Sequence, residues 1–225
     1  MHINLNTTLG EVPAYLKEAS SDVLLLVFPS VFGLDEDILS LCEAIFSKDV
    51  SVLAMDIFWS IQPGPLGHQF EEIEEAFMRM RQLPFEEALS DARVFCQHAK
   101  QFSSNLLALG IGYGGRLAFN MLAEERVQAA SVWHGAGIGR YIDELQSLNG
   151  SLELHYGALD PLTPDIEKDV IAEICKDKPN VRLFNHPQAR HGFSLSLGST
   201  FNPECYLSLE ASLLNQPKTL LETSK

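Results

Sequence analysis

Basic residues are scarce in this 225-residue chain: sixteen Lys and Arg stand against thirty Asp and Glu, for a net charge of −14. Nucleic acids and anionic bilayers select positive surfaces, so this balance argues against both as partners. The excess of acid reads most simply as a well-solvated surface. Long apolar runs are missing too. None approaches the roughly 18–20 residues needed to span a bilayer, and "MHINLNTTLG" at the start has neither the basic nor the apolar region of a secretion signal. The cysteines Cys42, Cys96, Cys175 and Cys205 stand apart, with no C-x-x-C and no zinc-ligand spacing. That argues against a disulfide framework and a cysteine metal centre, and fits a reducing compartment. Repeats, low-complexity tracts and linker-like breaks are likewise absent. The expectation is a soluble cytoplasmic protein with no metal and no cofactor, its residues 1–225 forming a single domain.

What is present is a regular alternation. Apolar runs at 22–28 ("DVLLLVF"), 50–56, 105–110, 129–135, 151–157 and 181–185 have the length and composition of buried parallel strands. Between them lie stretches of helical periodicity at 35–48, 68–80, 84–102 and 163–178, with a closing one at 202–216. Strands alternating with helices predict an α/β fold, a mostly parallel sheet covered by helices on both faces. In such sheets functional groups collect at the carboxyl ends of the strands.

One stretch concentrates the functional question. "NLLALG" runs into Gly110-Ile-Gly112-Tyr-Gly114-Gly115 and then into the helix-like "GRLAFNMLAEE". The glycines at 110–115 satisfy G-x-G-x-x-G, which admits a dinucleotide-binding reading. That fingerprint normally opens the first βαβ unit, with an acid about 20 residues on. Here it sits mid-chain, and the next strand ends "SVWHG" with no acid until Asp143. A phosphate-binding P-loop is excluded because no G-K-[ST] follows. A second reading is the nucleophile elbow, G-x-Nuc-x-G, in which Gly110 and Gly114 are the small flanking positions. The nucleophile position is then Gly112, which has no side chain. Downstream, Asp160 opens a loop after one strand ("HYGALDPLTP"), and His191 lies in a loop after the last ("HPQARHGFS"). This is the chain order of an elbow enzyme's acid and base. A third reading makes the knot a structural turn only.

Taken together, "FPSVFGLDEDILSLCEAIFSKDVSVLAMDIFW", "GIGYGGRLAF", "YGALDPLTP" and "ARHGF" resemble the dienelactone hydrolases over about residues 22–200. These are α/β-hydrolases that open lactones and related esters with a Cys-His-Asp triad. The resemblance implies the α/β-hydrolase fold, with Asp160 and His191 as acid and base. It also implies oxyanion donors from the backbone N–H groups of Val31 and Tyr113. It departs from the family at three points. Gly112 replaces the cysteine, Ser30 stands where the family has a glutamate, and Ser60 and Leu195 fall where arginines would hold a substrate carboxylate. A different route would need Ser30 as nucleophile or a water activated by His191. The expected pocket is bordered by Phe32, Phe58, Trp59, His134 and Phe193. With few cations near, it suits a small apolar or neutral ester- or lactone-like ligand. His186 and His191 lack the further ligands of a metal site.

Overall fold

A computed structural model describes residues 1–20 and 22–223, with side chains described through residue 215. Its centre is an eight-stranded sheet. The strands are β1 (His2–Thr7), β2 (Gly10–Lys17), β3 (Val23–Phe28), β4 (Ser51–Met55), β5 (Asn105–Ile111), β6 (Ala129–Trp133), β7 (Ser151–Gly157) and β8 (Val181–His186). Their spatial order is β1-β2-β4-β3-β5-β6-β7-β8. From β4 to β8 all pairings are parallel, whereas β1 and β2 form an antiparallel hairpin whose second strand pairs antiparallel with β4. Sequence reading misses this hairpin. Its residues are half-exposed and mixed in polarity, so they carry no long apolar run, and Pro13 interrupts the second strand.

The helices are α1 (Glu36–Phe46), α2 (Phe70–Gln82), α3 (Phe85–Ala99), α4 (Tyr113–Ala123), α5 (Ile142–Ser147), α6 (Asp165–Asp177) and α7 (Pro203–Thr223). Short α5 also escapes the periodicity reading. Successive strand side chains point to opposite faces, and the strands are apolar at nearly every position because both faces are covered. Thus Leu24, Leu26 and Phe28 pack with Ala92 and Phe95 of α3 and Leu117 of α4. Val23, Leu25 and Val27 pack instead with Ile38 and Leu41 of α1 and Leu209 and Leu213 of α7. The parallel strands therefore all deliver their carboxyl ends, and the loops that follow, to one edge of the sheet.

Candidate active site

Gly112 is the single residue between β5 and α4, at φ 54° and ψ −114°. An L-residue is strained in that region, whereas glycine, having no Cβ, adopts it freely. The Gly112 N–H donates to the Trp133 carbonyl at 2.9 Å, and its own carbonyl accepts from the Gly115 N–H at 3.0 Å. A Cβ built at 112 would stand 3.7 Å from Ser30 Cβ and 3.8 Å from Cε1 and Nδ1 of His134, which are ordinary contacts. Position 112 has room for a side chain. Its neighbours do not: a Cβ at Gly110 would lie 2.3 Å from the Gly114 carbonyl oxygen, and one at Gly114 would lie 2.1 Å from that of Phe28. The bend is thus held by close packing of α4 onto β3 and β5.

Asp160, in the turn after β7, is buried and accepts three hydrogen bonds. Its Oδ2 meets His191 Nδ1 at 2.9 Å and Thr163 Oγ1 at 3.2 Å, and its Oδ1 accepts from the Leu162 N–H at 2.8 Å. Burial alone would raise its pKa, but the His191 ring and the Leu162 amide outweigh burial and hold it below the usual carboxylate value. His191 follows β8 with about a third of its side chain exposed. With Nδ1 turned to Asp160, Nε2 is the nitrogen left for chemistry.

A second imidazole stands beside this pair. His134 directly follows β6, at φ 41°, and is wholly enclosed, its ring 5.0 Å from that of His191 and nearly perpendicular to it. Its Nε2 lies 2.8 Å from Ser194 Oγ, while Nδ1 is buried without a hydrogen-bond partner. Burial, and then the proximity of His191, drive its pKa well below 6.5. Burial, with His155 next to it, pushes His186 down to about 4. Both histidines therefore take up protons more readily when unfolded. Their contribution to stability is full above about pH 6.5 and is lost as pH falls through the window below it. The depressed Asp160 pKa acts in the same direction at lower pH. Thermal denaturation should show Tm falling between about pH 7 and pH 5, with a smaller fall in His134→Asn. Equal falls in the two proteins would contradict this assignment.

Val31, just after β3, and Tyr113, the first residue of α4, both have backbone N–H groups with no acceptor among the described residues. The Val31 turn is pinned by Arg79 of α2, a buried guanidinium that donates to the carbonyls of Val31 (2.8 Å), Gln62 (3.0 Å) and Gly64 (2.7 Å) and lies over the Phe58 ring. Sequence reading missed Arg79. The available signal was its position three residues after Ala76, on the buried face of α2. Ser30 is buried, and its Oγ accepts from the Phe32 N–H at 3.3 Å. Among the described residues, Ser30 has no hydrogen bond to either imidazole. The cysteines offer no substitute: burial pushes the Cys42 and Cys96 thiols up to about 12 and raises those of Cys175 and Cys205.

A cavity of about 560 Å³ opens over Gly112, with His134 and His191 in its floor and no Lys or Arg in its lining. Phe32, Ile73, Phe77, Leu195 and Leu197 form the apolar wall. A larger groove, about 710 Å³, lies by Thr7, Arg93 and Gln101, away from the elbow, and gathers none of these groups. Phe32 and His134 line the elbow cavity as expected from sequence, but Phe58, Trp59 and Phe193 do not. Phe58 is buried beneath Arg79 and Tyr113. Trp59 turns away to donate from Nε1 to Asp91, and Phe193 is fully buried behind His134 and His186. Each lies in the right segment with its ring packed into the protein, a distinction that strand-end position alone cannot make. Leu195 lines the cavity and Ser60 does not. His186 pairs with His155, Nε2 to Nδ1 at 3.3 Å, and not with His191. Asp35, Asp37 and His68 come together, but Asp35 caps α1 and bonds His68, and Asp37 holds the Ser196 and Leu197 amides. No helix among the described residues is long and apolar enough to cross a membrane.

A mostly parallel sheet whose fifth strand turns sharply into a helix, with an Asp–His pair on later strand ends, defines the α/β-hydrolase fold. A solved dienelactone hydrolase-like promiscuous phosphotriesterase from metagenomic libraries superposes with a TM-score of 0.80 at 14% identity, covering 98% of each chain. The dienelactone hydrolase of Anabaena variabilis does so with a TM-score of 0.66 at 17% identity, over 93% of this chain and 95% of that one. The carboxymethylenebutenolidase of a Pseudomonas strain is 22% identical over 203 residues, 88% of this chain and 84% of that protein. Residues 12–206 match the family model described as the dienelactone hydrolase family. The chain belongs to that family. Nothing found favours dinucleotide binding.

Proposed function

We propose that this protein binds a small neutral ester- or lactone-like molecule in the cavity over the elbow and forms no acyl-enzyme. One observation carries the reading: Gly112 and His191 line one cavity, Asp160 holds His191 Nδ1, and position 112 has no side chain. Covalent catalysis needs a nucleophile within hydrogen-bond reach of its base. Ser30 does not supply one, because its Oγ is engaged with the Phe32 amide and bonded to neither imidazole. The absence of cations from the lining fits a ligand without a carboxylate better than an anionic one.

Wild-type protein mixed with p-nitrophenyl butyrate should show no turnover beyond that of His191→Ala. An aryl phosphonate should leave no adduct on its intact mass. Ester turnover at an ordinary enzymatic rate, abolished in His191→Ala, would sink the proposal. In that case an adduct on Ser30 would identify a serine route, and its absence would identify a water activated by His191.

A further inference from the structure

His134 is a second buried imidazole beside His191, and its protonation follows from its one hydrogen-bond partner. Ser194 is buried, and among the described residues its hydroxyl has a single partner, His134 Nε2 at 2.8 Å. A buried hydroxyl proton is costly to leave unbonded, so Ser194 donates to the Nε2 lone pair. The neutral ring then carries its hydrogen on Nδ1. That Nδ1–H is buried without an acceptor and faces the space where a side chain at 112 would begin. Desolvation keeps the ring neutral. His191 is arranged the other way: its Nδ1–H is spent on Asp160, which leaves a lone pair on Nε2. The two rings, 5.0 Å apart, line the cavity over Gly112 together, one carrying a free donor and the other a free acceptor.

We infer that His134 and His191 clamp one O–H group in that volume, His134 Nδ1–H donating to its oxygen and His191 Nε2 accepting its hydrogen. A carbonyl or ether oxygen can satisfy only His134, and an apolar group satisfies neither. The inference rests on the proposed pocket and narrows its ligand to neutral molecules carrying an alcohol hydroxyl. A water molecule has the same O–H chemistry, and the two sources are separable.

Benzyl alcohol and ethylbenzene, similar in size and differing by the hydroxyl, serve as calorimetric probes. Protein labelled with ¹⁵N at histidine reports the tautomers. Wild-type His134 should show the Nδ1–H form. If the ligand supplies the hydroxyl, benzyl alcohol should shift the ring nitrogens of both histidines. Its preference over ethylbenzene should fall roughly three- to tenfold in His134→Leu, the loss of one neutral hydrogen bond. His134→Asn should keep that preference, since asparagine tolerates positive φ and places an amide near the Nδ1 level. If water supplies it, the preference is indifferent to His134 and the Nδ1–H proton gives a cross-peak to water in the free protein. An Nε2–H tautomer in wild type overturns the clamp. So does an Nδ1–H that shows neither a water cross-peak nor a shift with benzyl alcohol. These readings use wild type alone and stand even if His134→Leu does not fold. Failure of both probes to bind, with the water cross-peak present, overturns the pocket reading and leaves the clamp standing.

Discussion

Gly112→Ser is expected to create an esterase, raising hydrolysis of p-nitrophenyl butyrate by roughly 10²-fold or more over wild type, the lower end of what a positioned base contributes. The reasons are geometric. The backbone at 112 already has the conformation of an elbow nucleophile, and a Cβ there meets nothing closer than 3.7 Å. Asp160 already orients His191, and the Val31 and Tyr113 N–H groups are free to meet a developing oxyanion. Gly112→Cys should do the same, its thiol activated by the same imidazole. Both variants should be less stable than wild type, because a non-glycine residue at this φ costs on the order of 1–3 kcal/mol. Adding His191→Ala to either should return the rate to baseline. If the serine and cysteine variants both fold and neither gains activity, His191 Nε2 does not reach the nucleophile position, and the proposal that the missing side chain at 112 is what prevents an acyl-enzyme is wrong.

The candidate site is legible in sequence where chemistry and chain order coincide. Asp160 and His191 stand out because an acid and a histidine after successive strands, in that order behind a glycine bend, carry a specific pattern, and the structure brings the two within 2.9 Å. Gly112 stands out because its flanking glycines fix the frame. The long parallel strands were equally plain, since burial on both faces leaves few polar positions. The β1–β2 hairpin was not, because an edge hairpin with one wet face has no such signature. The pocket wall was read from strand-end position, which fixes where a residue sits and not which way its ring turns. Phe58, Trp59 and Phe193 therefore sit in the expected segments without lining the cavity. Arg79 and the free nitrogen of His134 lay beyond sequence reading, because each is defined by partners brought together from distant segments.

Gly114→Ala should be far more damaging than Gly112→Ala, although the two glycines are only two residues apart. At 112 the added methyl meets only ordinary contacts, at 3.7 Å and beyond, and the penalty is the strain of positive φ, on the order of 1–3 kcal/mol. At 114 the methyl would stand 2.1 Å from the Phe28 carbonyl oxygen and 2.5 Å from both the Phe28 carbonyl carbon and the Pro29 carbonyl oxygen. These are backbone atoms at the end of a central strand and cannot turn aside as a side chain would. Relief requires α4 to lift from β3, opening the core beneath Leu117 and Phe119 and carrying Tyr113 away from Val31. Overpacking typically costs about 1–3 kcal/mol, and a clash with backbone that cannot turn aside belongs to the exceptional cases above about 4 kcal/mol. It would consume much of a typical stability of about 5–15 kcal/mol. In thermal denaturation, Gly114→Ala should lower Tm by roughly 10 °C or more, clearly more than Gly112→Ala. Comparable Tm values for the two would mean that the elbow yields at little cost. A bend that yields so easily could not hold a nucleophile, or the space left by one, in register with His191.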